Sequence, residues 1–236
     1  ALYGSNSRRL NNSLSKQGFR RSQNVLYRPS CSNCNACMSA RILSAEFKQS
    51  KSQKRIRTRN KDVIRTVNPP LATDPQYDLF KRYINTRHPN GGMSDMDAED
   101  FTAMIEETNV ESRIVEYYVN MNGKPELISF SLVDILDDGI SMVYSVFDPD
   151  LKERGLGTYM IMDHNDLALE MKLKFVYLGY WVKGSSKMDY KKRFRPLEVF
   201  ADDKWVCASK ASDRSPNIEN GSSEKQGMPI YLPSDQ

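Results

Sequence analysis

Lys183, Lys187, Lys191, Lys192 and Arg193 crowd one short polar stretch, interleaved with Met188, Tyr190 and Phe194. They follow Phe175–Val182, an apolar and aromatic run that carries Gly179 within it and breaks at Gly184. A buried strand that ends in cations and aromatics can hold an anionic, stackable ligand such as the end of an RNA strand. Three thiols stand at Cys31-x-x-Cys34-x-x-Cys37. At that spacing all three can reach one metal, with Cys207 or an upstream segment as fourth ligand; reduced, buried thiols are the alternative. Covalent catalysis has little to work with. The chain has two histidines and no Ser/His/Asp signature. His164 shares an apolar helical face with Leu156, Met160, Leu167 and Met171, which marks it as core. His88, beside Pro89 and Gly91, reads as structural.

The net charge of +4 hides an asymmetry. Up to Arg65, 15 Lys and Arg face only Glu46 and Asp62, a net +13, while the rest carries −9. A basic first quarter is the footprint of a surface that meets phosphates, the alternative being a solvated basic face. Its densest part, Gln49–Lys61, reads as a basic helix with Ser50 at its start. The same surface argues against an acetyltransferase, which needs no polynucleotide contact; a non-catalytic RNA-binding module stays open. No apolar run approaches the ~20 residues that span a membrane. Four cysteines, three of them clustered, point to a reducing, cytoplasmic setting rather than a disulfide scaffold. The chain begins at Ala1, and a short preceding segment is expected.

Positioning these residues requires a mixed α+β chain. Val25–Pro29 and Met38–Phe47 read as strands, and Val67-Asn68-Pro69-Pro70 as a domain boundary. Helices are expected over Asp74–Arg87 and Asp97–Glu107. Strands Ser112–Met121, Glu126–Ile135 and Gly139–Phe147 follow, joined by the turn signals Asn122-Gly123 and Asp137-Asp138-Gly139. A helix from Asp150 to Met171, with Asp148 as cap and Pro149 in its first turn, leads to the strand at Phe175. Domains are placed at residues 1–68, 69–208 and a loose tail, 209–236. The Ser-, Asp- and Asn-rich composition of the last piece suits a tail.

The order of helices, three-strand meander, glycine-bearing helix and strand resembles the GNAT-like acyltransferase fold. A small basic, cysteine-containing N-terminal domain precedes it. Gly18-Phe19-Arg20-Arg21-Ser22, Tyr27-Arg28-Pro29 leading to the cysteines, Arg41-Ile42, Tyr83–His88, Phe147-Asp148-Pro149, Leu156-Gly157-Thr158, Tyr177–Trp181 and Lys187-Met188-Asp189-Tyr190-Lys191 occur in this order. Together they resemble the aminoacyl-tRNA–protein transferases over about residues 18–206, specifically the bacterial aspartate/glutamate leucyltransferase type, relatives of eukaryotic arginyltransferases. Ser185-Ser186 departs from the cysteine that relatives often carry there.

The resemblance implies transfer of leucine from leucyl-tRNA to the α-amine of proteins beginning with Asp or Glu, which marks them for degradation. Arginine as the donated residue stays open. It implies no cofactor for the chemistry, and a zinc ion or iron–sulfur cluster at Cys31, Cys34 and Cys37 as in eukaryotic relatives. The aminoacyl ester is already activated and an α-amine has a pKa of about 7.7–8.0, so alignment without a strong base suffices. Asp148, Tyr180, Lys187 and Tyr190 are the candidate catalytic residues, with Asp148 orienting the amine, capping a helix, or both. The leucyl pocket falls to Tyr144, Tyr180 and Trp181, unless these aromatics are plain core. Leu156, Gly157 and Thr158 would present backbone N–H groups to an anion, unless the glycine serves packing. Lys187, Lys191, Arg193 and Arg195 are candidates to read the acidic acceptor. Arg20, Arg21, Tyr27 and Arg28 complete the substrate-binding set.

Overall fold

Asn122 and Gly123 set the central meander. Both have left-handed φ, 54° and 83°, the conformation a two-residue hairpin turn needs and these residue types adopt at least cost. The structure, a computed structural model, describes residues 1–211 apart from 32, 33, 90, 183, 186 and 187. In chain order it contains α1 (Ser7–Lys16), β1 (Arg20–Ser22), β2 (Val25–Tyr27), β3 (Cys37–Leu43), α2 (Lys51–Arg59), β4 (Ile64–Asn68), α3 (Asp74–Arg87) and α4 (Ala98–Glu106). The meander follows as β5 (Ser112–Met121), β6 (Lys124–Ile135) and β7 (Gly139–Phe147). Then come α5 (Leu156–Glu170), β8 (Phe175–Val182), β9 (Leu197–Ala201), β10 (Lys204–Cys207) and a single turn, α6 (Ala208–Ala211).

Eight strands form one sheet in the order β10-β9-β3-β8-β7-β6-β5-β4, and β1 and β2 form a separate hairpin. Every described pairing is antiparallel except β7 with β8. α5 buries Leu156, Met160, Ile161 and Leu167 against one face, with Val133, Ile140, Val176 and Trp181. α3 and α4 cover the other through Leu79, Phe80, Ile84, Phe101 and Ile105, packed on Phe130, Leu132 and Val146. The expected boundary at 67–70 falls between β4 and α3. Strands from both sides of it share the sheet: β3 lies between β9 and β8, and β4 forms the edge beside β5.

The basic helix is capped as its sequence suggested: Ser50 accepts from the Gln53 N–H at 3.3 Å, and Gln53 returns a bond to the Ser50 N–H. α5 departs from expectation. It starts at Leu156, not Asp150, and Asp148 does not cap it. A 3₁₀ turn over Lys152–Arg154 intervenes, tied down by Arg154 on Asp62 at 2.9 Å and by Asn60 on the Arg154 carbonyl at 2.7 Å. Gly155, at φ +63°, ends that turn, and a Cβ there would meet Ile56 at 3.2 Å. His164 is core as read: its Nδ1 lies 2.6 Å from the Met160 carbonyl, and burial pushes the imidazole pKa down. The tail assigned to 209–236 lies outside the described residues from 212 on.

α1 buries a polar face of Ser7, Asn11, Asn12 and Ser15. Asn12 accepts from the Asp137 N–H at 2.8 Å and Asn11 approaches Asp134 at 3.4 Å. Arg21 grips both oxygens of Asp134 at 2.6 Å, and Ser112 adds a donor at 2.8 Å. This buried ion pair pins the N-terminal module to the sheet. Asp134→Ala strands the Arg21 charge and is expected to cost about 3–5 kcal/mol, measured as urea stability.

Candidate active site

The site begins where a ladder ends. β7 and β8 pair only from Gly139↔Phe175 to Ser141↔Tyr177, although β7 continues to Phe147 and β8 to Val182. Both strands are irregular just beyond that point. Val143 is the extra residue between Leu132↔Tyr144 and Val133↔Met142, and Leu178 the extra residue between Ala40↔Gly179 and Arg41↔Tyr177. Gly179 then takes φ +79°. Bulges bend strands and end pairing, and they recur beside active sites.

Arg20 of the β1–β2 hairpin fills the opening. Its guanidinium donates to the Met142 carbonyl and lies 3.4 Å from the Ser141 hydroxyl. It rests on Gly179, where a Cβ would sit 3.2 Å from the guanidinium carbon. The carbonyl that loses its strand partner is therefore capped by a cation. Burial pushes the Arg20 pKa down, opposed by Tyr27, Tyr180 and Asp134. Lys191, from the 3₁₀ turn Asp189–Arg193, donates to the Tyr180 carbonyl and is 7% exposed. Burial, with Arg20 adding repulsion, lowers its pKa to about 7. The Tyr180 hydroxyl donates to the Tyr27 carbonyl at 2.8 Å and its ring packs on Tyr27, so the hairpin is locked to β8. Burial and Tyr27 raise the Tyr180 pKa.

A second wall is aromatic. Tyr83 of α3 packs edge-on against Phe147 at 4.9 Å, and Arg87, one turn on, lies 5.6 Å from the Phe147 ring. Tyr144 is raised in pKa by burial and by Tyr83. Tyr190, 38% exposed, is raised by desolvation of its hydroxyl and by Tyr83, opposed by Arg87. Tyr83 and Arg87 were not among the candidates, although their i, i+4 spacing on an expected helix places both on one face.

The remaining candidates divide. Arg21 is consumed by Asp134. Arg28 is half-exposed, over Phe19 at 5.1 Å and 3.6 Å from Asp203. Asp148 accepts from Arg82 at 3.1 Å and from the Asp150 N–H at 2.9 Å, so both its oxygens hold the turn after β7. Trp181 is fully buried core and does not line an open pocket. Leu156 is core, Gly157 leaves room for the Phe147 ring, and Thr158 gives its N–H to Gly155. Lys187 lies outside the described residues. Arg193 and Arg195 are exposed on the outer side of their segment. There Gln53 bonds the Arg193 carbonyl, the Lys48 N–H bonds the Arg195 carbonyl, and Phe47 meets Phe194 at 6.0 Å. These contacts join Lys192, Arg193 and Arg195 to the exposed Lys48, Lys51, Lys54, Arg55 and Arg59 in one basic surface. Arg57 is paired instead with Asp166.

Cys31, Cys34 and Cys37 are exposed and in no disulfide. The Cys37 thiol is pushed up by partial burial and by Cys34 and Cys31. Among the described residues, no three His, Cys, Asp or Glu side chains are disposed to hold a metal ion.

A sheet opened along its one parallel seam, backed by a helix and flanked by a basic surface, defines an acyl-transfer fold suited to a polyanionic donor. The chain belongs to the arginine-tRNA–protein transferase family. Residues 2–55 match its N-terminal model and residues 75–201 its C-terminal model. An aspartate/glutamate leucyltransferase of Ruegeria pomeroyi is 56% identical over 205 residues, 87% of this chain and 74% of that one. One of Cereibacter sphaeroides is 51% identical over 216 residues, 90% and 77% of the two chains. The fold is shared with L-PGS from Bacillus licheniformis, at TM-score 0.53 and 12% identity over 68% of this chain and 57% of that one. FemX gives TM-score 0.50 at 8% identity, over 85% and 69%.

Gly179→Ala tests the seat of Arg20. A side chain at this left-handed φ costs about 1–2 kcal/mol, and its Cβ displaces the guanidinium. A lower urea midpoint is expected, and transfer about 10- to 100-fold slower through misplaced substrate.

Proposed function

We propose that this protein transfers leucine from leucyl-tRNA to the α-amine of proteins beginning with Asp or Glu, in the cytoplasm, and so marks them for degradation. The observation that carries the reading is the 56% identity, over most of the chain, to a protein named for that activity.

The geometry supports it. The neutral acceptor amine nitrogen attacks the ester carbonyl carbon, the bond to the tRNA ribose oxygen breaks, and the proton that the nitrogen gives up passes to that oxygen. An α-amine with pKa about 7.7–8.0 is partly neutral near pH 7, and holding two substrates in register supplies roughly 7–11 kcal/mol. The scheme needs no cofactor. Tyr83, Tyr144, Phe147 and Tyr190 supply apolar surface for the leucyl side chain, and the surface joining α2 to Lys192, Arg193 and Arg195 suits tRNA phosphates.

Donor identity is decided by parallel assays with radiolabelled leucyl- and arginyl-tRNA on one Asp-starting peptide. Leucine transfer is expected. Exclusive arginine transfer would favour the second reading, which the family model's arginine-tRNA description keeps open. Reversing Lys54, Arg55 and Arg59 together is expected to weaken tRNA binding and to flatten the log–log salt dependence by about 2–3. An unchanged slope would remove α2 from the tRNA surface.

A further inference from the structure

Arg20 and Lys191 form a pair that the rest of the structure leaves unbalanced. They come from β1 and from the turn after β8, and meet β8 at adjacent residues, Gly179 and Tyr180. Each is over nine-tenths buried. Their described hydrogen-bond partners are the neutral Ser141 hydroxyl and the Met142 and Tyr180 carbonyls. Among the described residues neither makes an ion pair. Asp134, the carboxylate whose charge reaches Arg20, is gripped through both oxygens by Arg21. Buried cations are ordinarily paired. Two side by side with only neutral partners, at the mouth of an opened sheet, make a place for an anion that is not part of the protein.

We propose that Arg20 and Lys191 together form the seat of the acceptor's side-chain carboxylate, the group that distinguishes Asp and Glu from Asn and Gln. This rests on the aminoacyl-transfer reading above. Of the substrates in that reaction, the leucyl ester has no carboxylate, and tRNA phosphates have the exposed cations around α2. That leaves the acceptor side chain as the anion for the buried pair. A carboxylate beside Lys191 favours its charged form, so an acidic acceptor draws a proton onto a lysine that burial holds near pKa 7. Other groups around Lys191 leave that signal clean. Arg20 keeps its charge, and Arg28 lies 3.6 Å from Asp203. Tyr180, Tyr190 and Cys37 are raised and stay protonated. Asp189 and Lys192 are paired at 3.0 Å. Tyr27, from the hairpin, acts on Arg20.

The test is calorimetric and kinetic, on the full chain. Asp- and Asn-starting peptides share the same α-amine, so the difference in protons taken up on binding at pH 8, from titrations in two buffers of different ionisation enthalpy, isolates the side chain. We expect net uptake for Asp relative to Asn in the wild type and none in Lys191→Arg, which is charged throughout. Lys191→Met should raise KM for Asp-starting peptides about 10- to 100-fold and leave Asn-starting peptides and tRNA affinity unchanged. Arg20→Lys is a second variant should Lys191→Met fold poorly, with the same loss of preference expected. Wild-type transfer of leucine with Asp-over-Asn preference intact in both variants overturns the proposal and leaves the activity standing. Lowered tRNA affinity with unchanged peptide preference overturns it too, and assigns the pair to a terminal phosphate. Absence of leucine transfer by the wild type removes the underlying reading instead.

Discussion

The structure depends on where β7 and β8 stop pairing. Among the described residues they make the one parallel seam in an otherwise antiparallel sheet, and it closes for three residue pairs before bulges at Val143 and Leu178 take both strands out of register. An opened ladder exposes a backbone carbonyl with no partner, and a buried unpaired carbonyl costs about 1–3 kcal/mol. Arg20 satisfies that carbonyl on Met142 and lies flat on Gly179 across the gap. The opening is therefore held at fixed width by a side chain from outside the sheet, and the hairpin that carries Arg20 becomes part of the site.

Neighbouring arginines divide the labour. Arg21 points to Asp134 and Ser112, a fully satisfied buried pair with little left to offer a ligand. Among the described residues, Arg20 points to neutral oxygens only. Adjacent positions on a strand project to opposite sides, so one residue anchors the hairpin and the other is delivered to the cleft. The anchoring extends through Trp205, whose indole donates to the Lys16 carbonyl at 2.8 Å, and through Tyr180 on Tyr27. Support of this kind lets a cation stay buried with no carboxylate partner of its own among the described residues.

Much of this architecture was legible because it follows local rules. The meander was marked by Asn122-Gly123, the basic helix by Ser50, and α3 by its period of apolar residues. The misses have physical causes. α1 escaped because its buried face is polar: Asn11, Asn12 and Ser15 are inside while Leu10 is 39% exposed, so hydrophobic periodicity gives no signal. β4 is a short edge strand beside the Pro69-Pro70 break, and the punctuation masked the pairing before it. α5 was started too early because Asp148-Pro149 is a good local cap, while Asp62 and Asn60, distant in sequence, hold Lys152–Arg154 in a 3₁₀ turn instead. Within the site, the cation-rich loop was visible as a composition. Which of its side chains turn inward was not, because that depends on the non-local contact between Lys191 and β8.

That contact gives the loop two faces. Over Asp189–Arg193, Lys191 enters the cleft while Lys192 and Arg193 face outward. Gln53 of α2 bonds the Arg193 carbonyl two residues from the Lys191–Tyr180 contact. Phe194, next in the chain, is buried against Phe47 and gives its N–H to the Lys191 carbonyl, which anchors the segment. The exposed cations of α2 and of Lys192, Arg193 and Arg195 therefore lie beside the same turn that presents Lys191 inward. The surface proposed for the donor's phosphates and the seat proposed for the acceptor's carboxylate thus share one short element. Their relative position is fixed by packing rather than by a moving domain, which is what a reaction relying on alignment of two substrates requires.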